Sequence, residues 1–301
     1  MDYTTAYQAF FQPTPEGTLS PAPVQEGSPA RRLRDAIEPL AMHAVWSRTV
    51  NERLAEHGLN FLTAYVWGRA APMGEPVAPL VASVFAAFEP NLVINLYEEG
   101  RRMLGRAELL RLQEEATVES LHSILGEVDV HEVVTALRRA VESADSTGRP
   151  LFSGVRALDW PADLLGQLWK ACLALREHRG DSHVAAYLNA GFDPVQMNIL
   201  TELWTGWPLG VYSGTRAWSP EHTAEALNTL RSKGLLDGET LSEAGRQTRQ
   251  QIEERTDTME QPLIAAIGAD FETVITRLNE WGAACIKAEA FPPDIRKRAA
   301  G

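Results

Sequence analysis

The stretch RSKGLLDGETLSEAGR, residues 231–246, is the most informative part of the sequence. Within it, Asp237 and Gly238 stand between short apolar runs, a pattern typical of a tight β-hairpin. A helical pattern that begins near Ser219 precedes the stretch, and residues 241–246 open a second, longer helix. We therefore predict the order helix, hairpin, helix here.

Outside this stretch, apolar residues recur at steps of three and four along most of the chain, which is typical of helices. Strand patterns are almost absent, so we predict an all-α protein with one small hairpin. We expect Pro39 to kink or split the first helix. We also expect Gly180-Asp181-Ser182 to break a helix, with Asp181 or Ser182 capping the next one. The predicted helices are 29–58, 59–67, 78–88, 90–103, 107–125, 130–143, 161–179, 183–189, 193–204, 219–233, 241 onward and 271–287.

The chain divides into three parts at changes of composition. Residues 1–28 are rich in proline and lack periodicity, so we predict a flexible N-terminal arm. Its aromatic residues (Tyr3, Tyr7, Phe10 and Phe11) leave open that the arm docks on its own or a partner subunit. Residues 145–150 form a turn pattern, and we place the domain boundary there. We predict an N-terminal helical domain over 29–147 and a C-terminal domain over 148–301.

Composition excludes several classes of protein. Apolar residues make up 45% and charged residues 23% of the 301 residues, which is ordinary for a globular chain and excludes wholesale disorder. No stretch approaches the ~18 apolar residues of a membrane span, and the N-terminus has no pattern of a secretory signal. The two cysteines, Cys172 and Cys285, fit no metal or disulfide framework, so we expect a cytoplasmic protein with no membrane partner.

Two sets of motifs resemble known families. RSKGLLDGETLSEAGR resembles the recognition helix and wing of MarR-type winged-helix proteins, over roughly residues 190–260. GRAAPMG (68–74), GRPLF (148–152) and LREHRGDSHVAAYLNAG (175–191) together resemble an actinobacterial family of winged-helix-related proteins. The resemblance implies a winged-helix-like C-terminal domain. It also implies a homodimer, because MarR-like proteins dimerise through terminal helices, and residues 271–287 carry an apolar stripe.

The charge of this region disfavours DNA. Residues 201–260 contain ten acidic and six basic side chains, and the whole chain has a formal charge of −12. Glu221 and Glu225 lie where a recognition helix would meet bases, and Asp237 and Glu239 lie at the wing tip. Affinity for DNA comes largely from Lys and Arg on phosphates, so we do not expect DNA as a partner.

One polar cluster stands out, in the stretch 176–183. Nucleotide-binding, zincin and hydrolase motifs are absent, so we expect no cofactor. A first hypothesis makes His178, Asp181 and His183 metal ligands. A second gives these charges purely structural pairing, and a third makes Arg176, Arg179 and His183 anchors for the polar part of a small ligand. Free backbone N–H groups at the predicted helix break would assist the third.

The second feature is the number of aromatic residues. Trp207 and Tyr212 lie in a glycine-rich loop, which is typical of a pocket wall or lid. Arg69 is either a structural arginine that satisfies loop carbonyls or a ligand clamp. We predict a pocket between the two domains with Tyr65 and Arg69 on one side. The other predicted residues are Arg176, His178, Arg179 and His183 opposite them, and Trp207, Tyr212 and Trp218 closing the pocket.

These observations support three hypotheses of function. The first is a small-molecule-binding protein of specialised metabolism on a winged-helix scaffold that has largely lost DNA binding, with a planar or aromatic ligand. The second is a natural-product biosynthetic enzyme that uses His183 or His178 as general acid–base, since histidine titrates near neutral pH. The third is a MarR-like, ligand-responsive transcription factor.

Overall fold

The computed structural model of this chain describes residues 27–292. Only Gly27 and Ser28 of the predicted N-terminal arm fall within that range; the rest of the arm, with its four aromatic residues, lies outside the described residues. The described part is built of α-helices with one two-stranded hairpin, which confirms the all-α prediction.

The first half of the described chain forms nine α-helices. These are α1 (Pro29–Ala41), α2 (His43–Trp46), α3 (Arg48–Ala55), α4 (Phe61–Ala70), α5 (Ala78–Phe85), α6 (Pro90–Met103), α7 (Arg106–Leu125), α8 (His131–Ser143) and α9 (Pro150–Ala157). The first predicted helix is indeed split, but the breaks come at Met42 and Ser47, three and eight residues after Pro39.

The second half contains longer helices and the hairpin. They are α10 (Leu164–Asn189), α11 (Pro194–Trp204), α12 (Pro220–Ser232), β1 (Leu236–Asp237), β2 (Thr240–Leu241), α13 (Glu243–Ile267) and α14 (Phe271–Lys287). A short 3-10 helix, Ser213–Arg216, lies between α11 and α12.

Side-chain caps explain where several of these helices begin. Asp193 accepts a hydrogen bond from the Gln196 backbone N–H, and Ser219 accepts one from His222. In both helices a proline follows the cap, where its missing N–H costs nothing. The predicted starts at Asp193 and Ser219 are therefore confirmed.

The hairpin forms where the Asp-Gly pair predicted it. Leu236 pairs with Leu241 and Asp237 with Thr240 in an antiparallel register. Gly238 has φ +62°, a left-handed conformation that glycine adopts without strain.

The predicted helix break at residues 180–182 is wrong. The helix α10 runs without interruption from Leu164 to Asn189. Glycine inside a helix costs about 1 kcal/mol relative to alanine. The flanking residues Glu177, Arg179 and Asp181 are buried and hydrogen-bonded to other elements, and this packing outweighs the local preference. No helix begins after Asp181 or Ser182, so neither residue caps one there, and the free backbone N–H groups expected there do not exist.

Three hydrophobic clusters make up the core. The largest joins α1, α8, α10 and α14, the second joins α4, α5, α6 and α7, and the third joins α11, α12, the hairpin and the end of α10. The predicted boundary near residue 147 falls in a turn between α8 and α9, while the largest cluster is shared across it. The division into two domains stays a prediction.

The apolar stripe of α14 lies inside this core. Val274, Leu278 and Trp281 are buried within their own chain, whereas Ile286 is 48% exposed. The homodimer stays a prediction, and its interface would need a surface other than this stripe. Across residues 27–292, no helix combines the length and the apolar character that crossing a membrane requires.

Candidate functional site

A cavity of about 280 Å³ lies where the three hydrophobic clusters meet. Its walls come from α1, α4, α10 and α11, from residues 84–88 at the end of α5 and after it, and from residues 212–216, which include the short 3-10 helix. Ligand sites are typically concave, about 300–1,000 Å³, and mostly apolar with a few polar groups. The cavity lies just below the lower end of that range.

The apolar walls are rich in aromatic rings. Seven of the residues that line the cavity are aromatic: Trp46, Phe61, Tyr65, Phe85, Phe88, Tyr187 and Tyr212. Several of these rings already touch one another edge-on or tilted, with centroids 5.6 Å apart for Tyr65 and Phe88 and 6.3 Å apart for Tyr65 and Phe85. Such walls favour a flat, apolar ligand.

One side of the cavity is a single face of α10. Arg176, Gly180, Val184 and Tyr187 follow each other at helical spacing and all line the cavity. At 1.5 Å per residue, this face is about 16 Å long. It runs from a charged end at Arg176 to an apolar end at Tyr187.

Arg69 is held by partners inside the protein. Its guanidinium donates hydrogen bonds of 3.0 and 2.8 Å to the two oxygens of Glu177 and one of 2.9 Å to the Tyr65 hydroxyl. It also lies over the Phe85 ring at 4.9 Å. The loop carbonyl of Ala71 accepts from Arg106 instead. Arg69 is therefore anchored by a buried carboxylate rather than by loop carbonyls.

Arg176 and Glu38 form a less completely bonded pair at the charged end of the cavity. Arg176 Nε lies 3.3 Å from a Glu38 oxygen, and its Nη1 donates long hydrogen bonds of 3.3 and 3.4 Å to Glu177. Within residues 27–292, Arg176 Nε and Glu38 Oε1 are buried without a well-formed hydrogen bond. At this end of the cavity, the hydrogen-bonding capacity of these two side chains is therefore only partly satisfied.

Arg179 ties the cavity wall to α13. Its guanidinium donates to Asp257 at 2.8 Å and to Glu253. Glu253 also accepts from Arg31 on α1 at 3.2 Å and from Arg249 at 2.8 Å. One carboxylate thereby joins α1, α10 and α13 beneath the cavity.

Two titratable residues of the cavity favour their neutral forms. Burial raises the pKa of Asp181 to about 7, although one of its oxygens accepts a 3.1 Å hydrogen bond from the Phe152 backbone N–H. Burial, and then the nearby Arg249 charge, lower the pKa of His183 to about 3. His183 Nδ1 lies 3.2 Å from the Thr256 hydroxyl. At neutral pH, the His183 ring is therefore uncharged. Of these two residues, Asp181 is the one whose pKa lies near neutral pH.

The glycine-rich loop is organised by Glu202, a fully buried residue of α11. Its carboxylate accepts four hydrogen bonds of 2.9 Å, from the backbone N–H groups of Gly210, Tyr212 and Ser213 and from the Ser213 hydroxyl. Tyr212 is thereby fixed in the cavity wall, where the Arg216 guanidinium covers its ring at 4.1 Å.

Six of the nine predicted site residues line this cavity, and three do not. Tyr65, Arg69, Arg176, Arg179, His183 and Tyr212 lie in its wall. His178, Trp207 and Trp218 lie elsewhere. Whether any of the nine binds a ligand stays a prediction.

The continuous helix explains the position of His178. Without a break at Gly180, residue 178 lies on the side of α10 that faces away from the Arg176–Gly180 face. Its Nδ1 lies 2.9 Å from both oxygens of Glu260, and Phe152 packs edge-on against its ring. His178 belongs to a buried pair behind the cavity wall.

The two tryptophans pack around the loop rather than in the cavity. Trp207 is buried, with its ring 6.2 Å from that of Tyr212. Trp218 donates a 3.0 Å hydrogen bond from Nε1 to the Ala87 carbonyl, which also accepts from Asn198 at 2.9 Å. Both therefore support segments that line the cavity.

Sequence reasoning missed the acidic residues of the site, Glu38, Glu177 and Glu202. Glutamate is normally an exposed residue, so there was little reason in the sequence to expect these three to be buried. The one available signal was the apolar surroundings of Glu202 in the run NILTELW. Among residues 27–292, the positions of His178, Asp181 and His183 do not form a group that could hold a metal ion.

The start of the helix α12 and the tip of the hairpin are acidic. Glu221 and Glu225 on α12 and Asp237 and Glu239 on the hairpin are exposed, and the basic residues Arg231 and Lys233 lie at the far end of α12.

A comparison with known protein families gives a match. Residues 30–292 match a family described as a helix-turn-helix family. No curated protein and no solved structure matched the chain. Since the matched range covers most of the sequence and includes every helix described above except the first residue of α1, this chain belongs to the helix-turn-helix family.

Proposed function

We propose that this protein binds a small, planar aromatic ligand in the cavity beside α10, on a helix-turn-helix scaffold whose DNA-binding surface has been largely lost. The observation that carries the proposal is the lining of the cavity, with seven aromatic rings and a charged cluster at one end. Apolar walls with a few convergent polar groups are the usual make-up of a small-molecule site.

The helix-turn-helix part contributes directly to this cavity. Met197 and Thr201 of α11, together with Tyr212 of the following loop, lie in its wall. The proposed ligand would therefore contact both the region that resembles a MarR-type module, roughly residues 190–260, and the helices that precede it.

Charge supports the loss of DNA binding. The exposed side chains at the start of α12 and at the hairpin tip are acidic where a DNA-binding protein uses Lys and Arg. We expect no specific, salt-sensitive complex with DNA from the protein's own locus in a gel-shift assay. Such a complex would favour a ligand-responsive transcription factor instead.

Ligand binding can be tested with three probes of the same shape: 2-naphthoate, 2-naphthamide and 2-naphthamidine. We expect at least one of them to bind the full chain in isothermal titration calorimetry. We also expect Val184→Trp, which fills the cavity from α10, to weaken that binding by about tenfold or more, a loss of ~1.4 kcal/mol.

Leu188→Trp is the matched control, because Leu188 lies one turn further along α10, is 54% exposed and does not line the cavity. It should bind as the wild type does. If none of the three probes binds the wild type, or if both tryptophan variants bind equally well, the proposal fails.

A further inference from the structure

Gly180 lies in the middle of the α10 face that lines the cavity. No neighbouring atom is close enough to require a glycine at this position. It is helical, and its φ is not positive, so the backbone does not demand glycine. A Cβ built there would meet nothing closer than Glu177 Oε2, at 3.7 Å, an ordinary contact.

Other helical glycines of the chain are explained by close packing. A Cβ at Gly154 would lie 2.8 Å from the Met73 backbone nitrogen, and one at Gly100 would lie 2.7 Å from the Trp67 side chain. Gly180 differs from these because the space above it is open and belongs to the cavity. Alanine at this position would fit the protein and strengthen the helix, so glycine there keeps room for something else.

Chemical groups on either side of Gly180 indicate how a ligand would be oriented. Arg176 lies one turn before it and Val184 one turn after it, and both line the cavity. A guanidinium only donates hydrogen bonds, so the ligand atom near Arg176 must be an acceptor. The Nε of Arg176 lies 3.3 Å from a Glu38 oxygen, and its Nη1 donates only long hydrogen bonds of 3.3 and 3.4 Å to Glu177. A ligand acceptor with better geometry can therefore compete for this guanidinium.

The charges around Arg176 favour an anionic acceptor. Arg34, Glu38, Arg176, Glu177 and Arg69 form a chain of ion pairs in which three cations alternate with two anions. All five side chains are at most 13% exposed, so their charges are weakly screened. Asp35, which also pairs with Arg34, is 47% exposed and so counts for less.

Asp181 is the other carboxyl group in this part of the cavity wall. Because burial raises its pKa to about 7, it carries less than a full negative charge at neutral pH. The buried carboxylate of Glu202 does not line the cavity, and four hydrogen bonds from the loop satisfy it. Neither residue cancels the excess of positive charge next to Arg176.

We infer that the ligand is an aromatic carboxylate whose ring lies flat against Gly180 and whose carboxylate pairs with Arg176. This inference rests on the proposed function and adds to it the class of ligand, its orientation and the role of Gly180 as the residue that sets the depth of the site.

The three naphthalene probes separate the inference from the proposed function, because they differ in charge and hardly in shape. We expect 2-naphthoate to bind the wild-type chain more tightly than the neutral 2-naphthamide, and the cationic 2-naphthamidine to bind least. Gly180→Ala should weaken 2-naphthoate binding by about tenfold, and Gly180→Leu should weaken it further, because each added methyl takes space from the ring.

Two controls accompany these variants. Ala185→Leu adds three carbons on the exposed side of α10, close to the four that Gly180→Leu adds, and should leave the affinity unchanged. The midpoint of thermal unfolding of Gly180→Ala should not fall below that of the wild type. Arg176→Gln should reduce the ratio of 2-naphthoate to 2-naphthamide affinity towards one, a readout that a merely structural role of Arg176 would not change.

Some results would overturn the inference while the proposed function stands. They are equal or tighter binding of 2-naphthamidine than of 2-naphthoate, and unchanged 2-naphthoate affinity in both Gly180 variants. Failure of all three probes to bind the wild type would instead remove the proposed function and this inference with it.

Discussion

Asp181 and His183 show how strongly the cavity acts on individual side chains. Burial raises the pKa of the acid to about 7 and lowers that of the base to about 3, so both are driven towards their uncharged forms. A general acid–base works best with a pKa near the working pH. If this cavity catalyses a proton transfer, Asp181 is better matched to it than His183.

The raised pKa of Asp181 predicts a particular dependence of stability on pH. Its unfolded pKa is 3.8, so between about pH 4 and 7 the unfolded chain releases a proton that the folded protein keeps. This group therefore lowers the free energy of unfolding as pH rises through that window. Glu177 raises the pKa of Asp181 further, whereas Arg69 and the Phe152 N–H act in the opposite direction.

We expect Asp181→Asn to stabilise the protein at pH 8 by on the order of 2–4 kcal/mol, since each pKa unit corresponds to about 1.4 kcal/mol. The asparagine oxygen can still accept from Phe152. At pH 4 the two proteins should be nearly equally stable. Urea unfolding at both values of pH measures the difference, and an asparagine variant that is destabilised at pH 8 would show that ionised Asp181 is well accommodated.

Among the secondary-structure elements, the junction of the hairpin and α13 explains the LSEAGR motif. Ser242 accepts a 3.0 Å hydrogen bond from the Gly245 N–H and so caps α13. The carbonyl of Leu235 approaches Gly245 so closely that a Cβ at residue 245 would lie 2.1 Å from its oxygen. Glycine is therefore required where the chain passes from the hairpin into the helix.

We expect Gly245→Ala to destabilise the protein by roughly 1–3 kcal/mol, the usual cost of forcing extra volume into a packed site. Gly180→Ala is the matched comparison and should have the opposite sign, because alanine is the better helix former and meets no neighbour there. Thermal unfolding of the two variants side by side measures this contrast. If the two variants changed stability equally, the backbone at Leu235 would be able to move away from residue 245 at little cost.

Across the molecule, the charged residues under the cavity link helices that are far apart in the chain. Glu253 of α13 pairs with Arg31 of α1, Arg179 of α10 and Arg249 of its own helix. Burial acts to raise the pKa of Glu253, but the three arginines outweigh burial and hold that pKa well below its usual range. Glu253 thus joins α1, α10 and α13, and Asp257 and Glu260 add further links between α10 and α13.

We expect Glu253→Gln to destabilise the protein by roughly 3–5 kcal/mol at pH 7, because it leaves buried arginines without their counter-charge. The neighbouring Glu254 is exposed, so Glu254→Gln should change stability by less than about 0.5 kcal/mol. Chemical denaturation of both variants provides the measurement. If Glu253→Gln lowered the free energy of unfolding no more than Glu254→Gln does, a central role for Glu253 would be contradicted.

Local signals were enough to predict most helices and the hairpin. Asp193, Ser219 and the Asp237-Gly238 pair act on backbone groups within a few residues of themselves, so their effect can be read without knowing the fold. The same reasoning failed at Gly180, where the local preference for a break was overruled by contacts with distant helices.

The partners of the buried charges were decided only by tertiary structure. Arg69 and Glu177 are 108 positions apart, His178 and Glu260 are 82 apart, and Arg179 and Glu253 are 74 apart. The sequence indicated that residues 176–183 are chemically unusual and that Tyr65, Arg69 and Tyr212 are candidates for a pocket. It could not indicate which side chains face the cavity, because that depends on how α10 is rotated against α1, α4 and α13, and packing between helices sets that rotation.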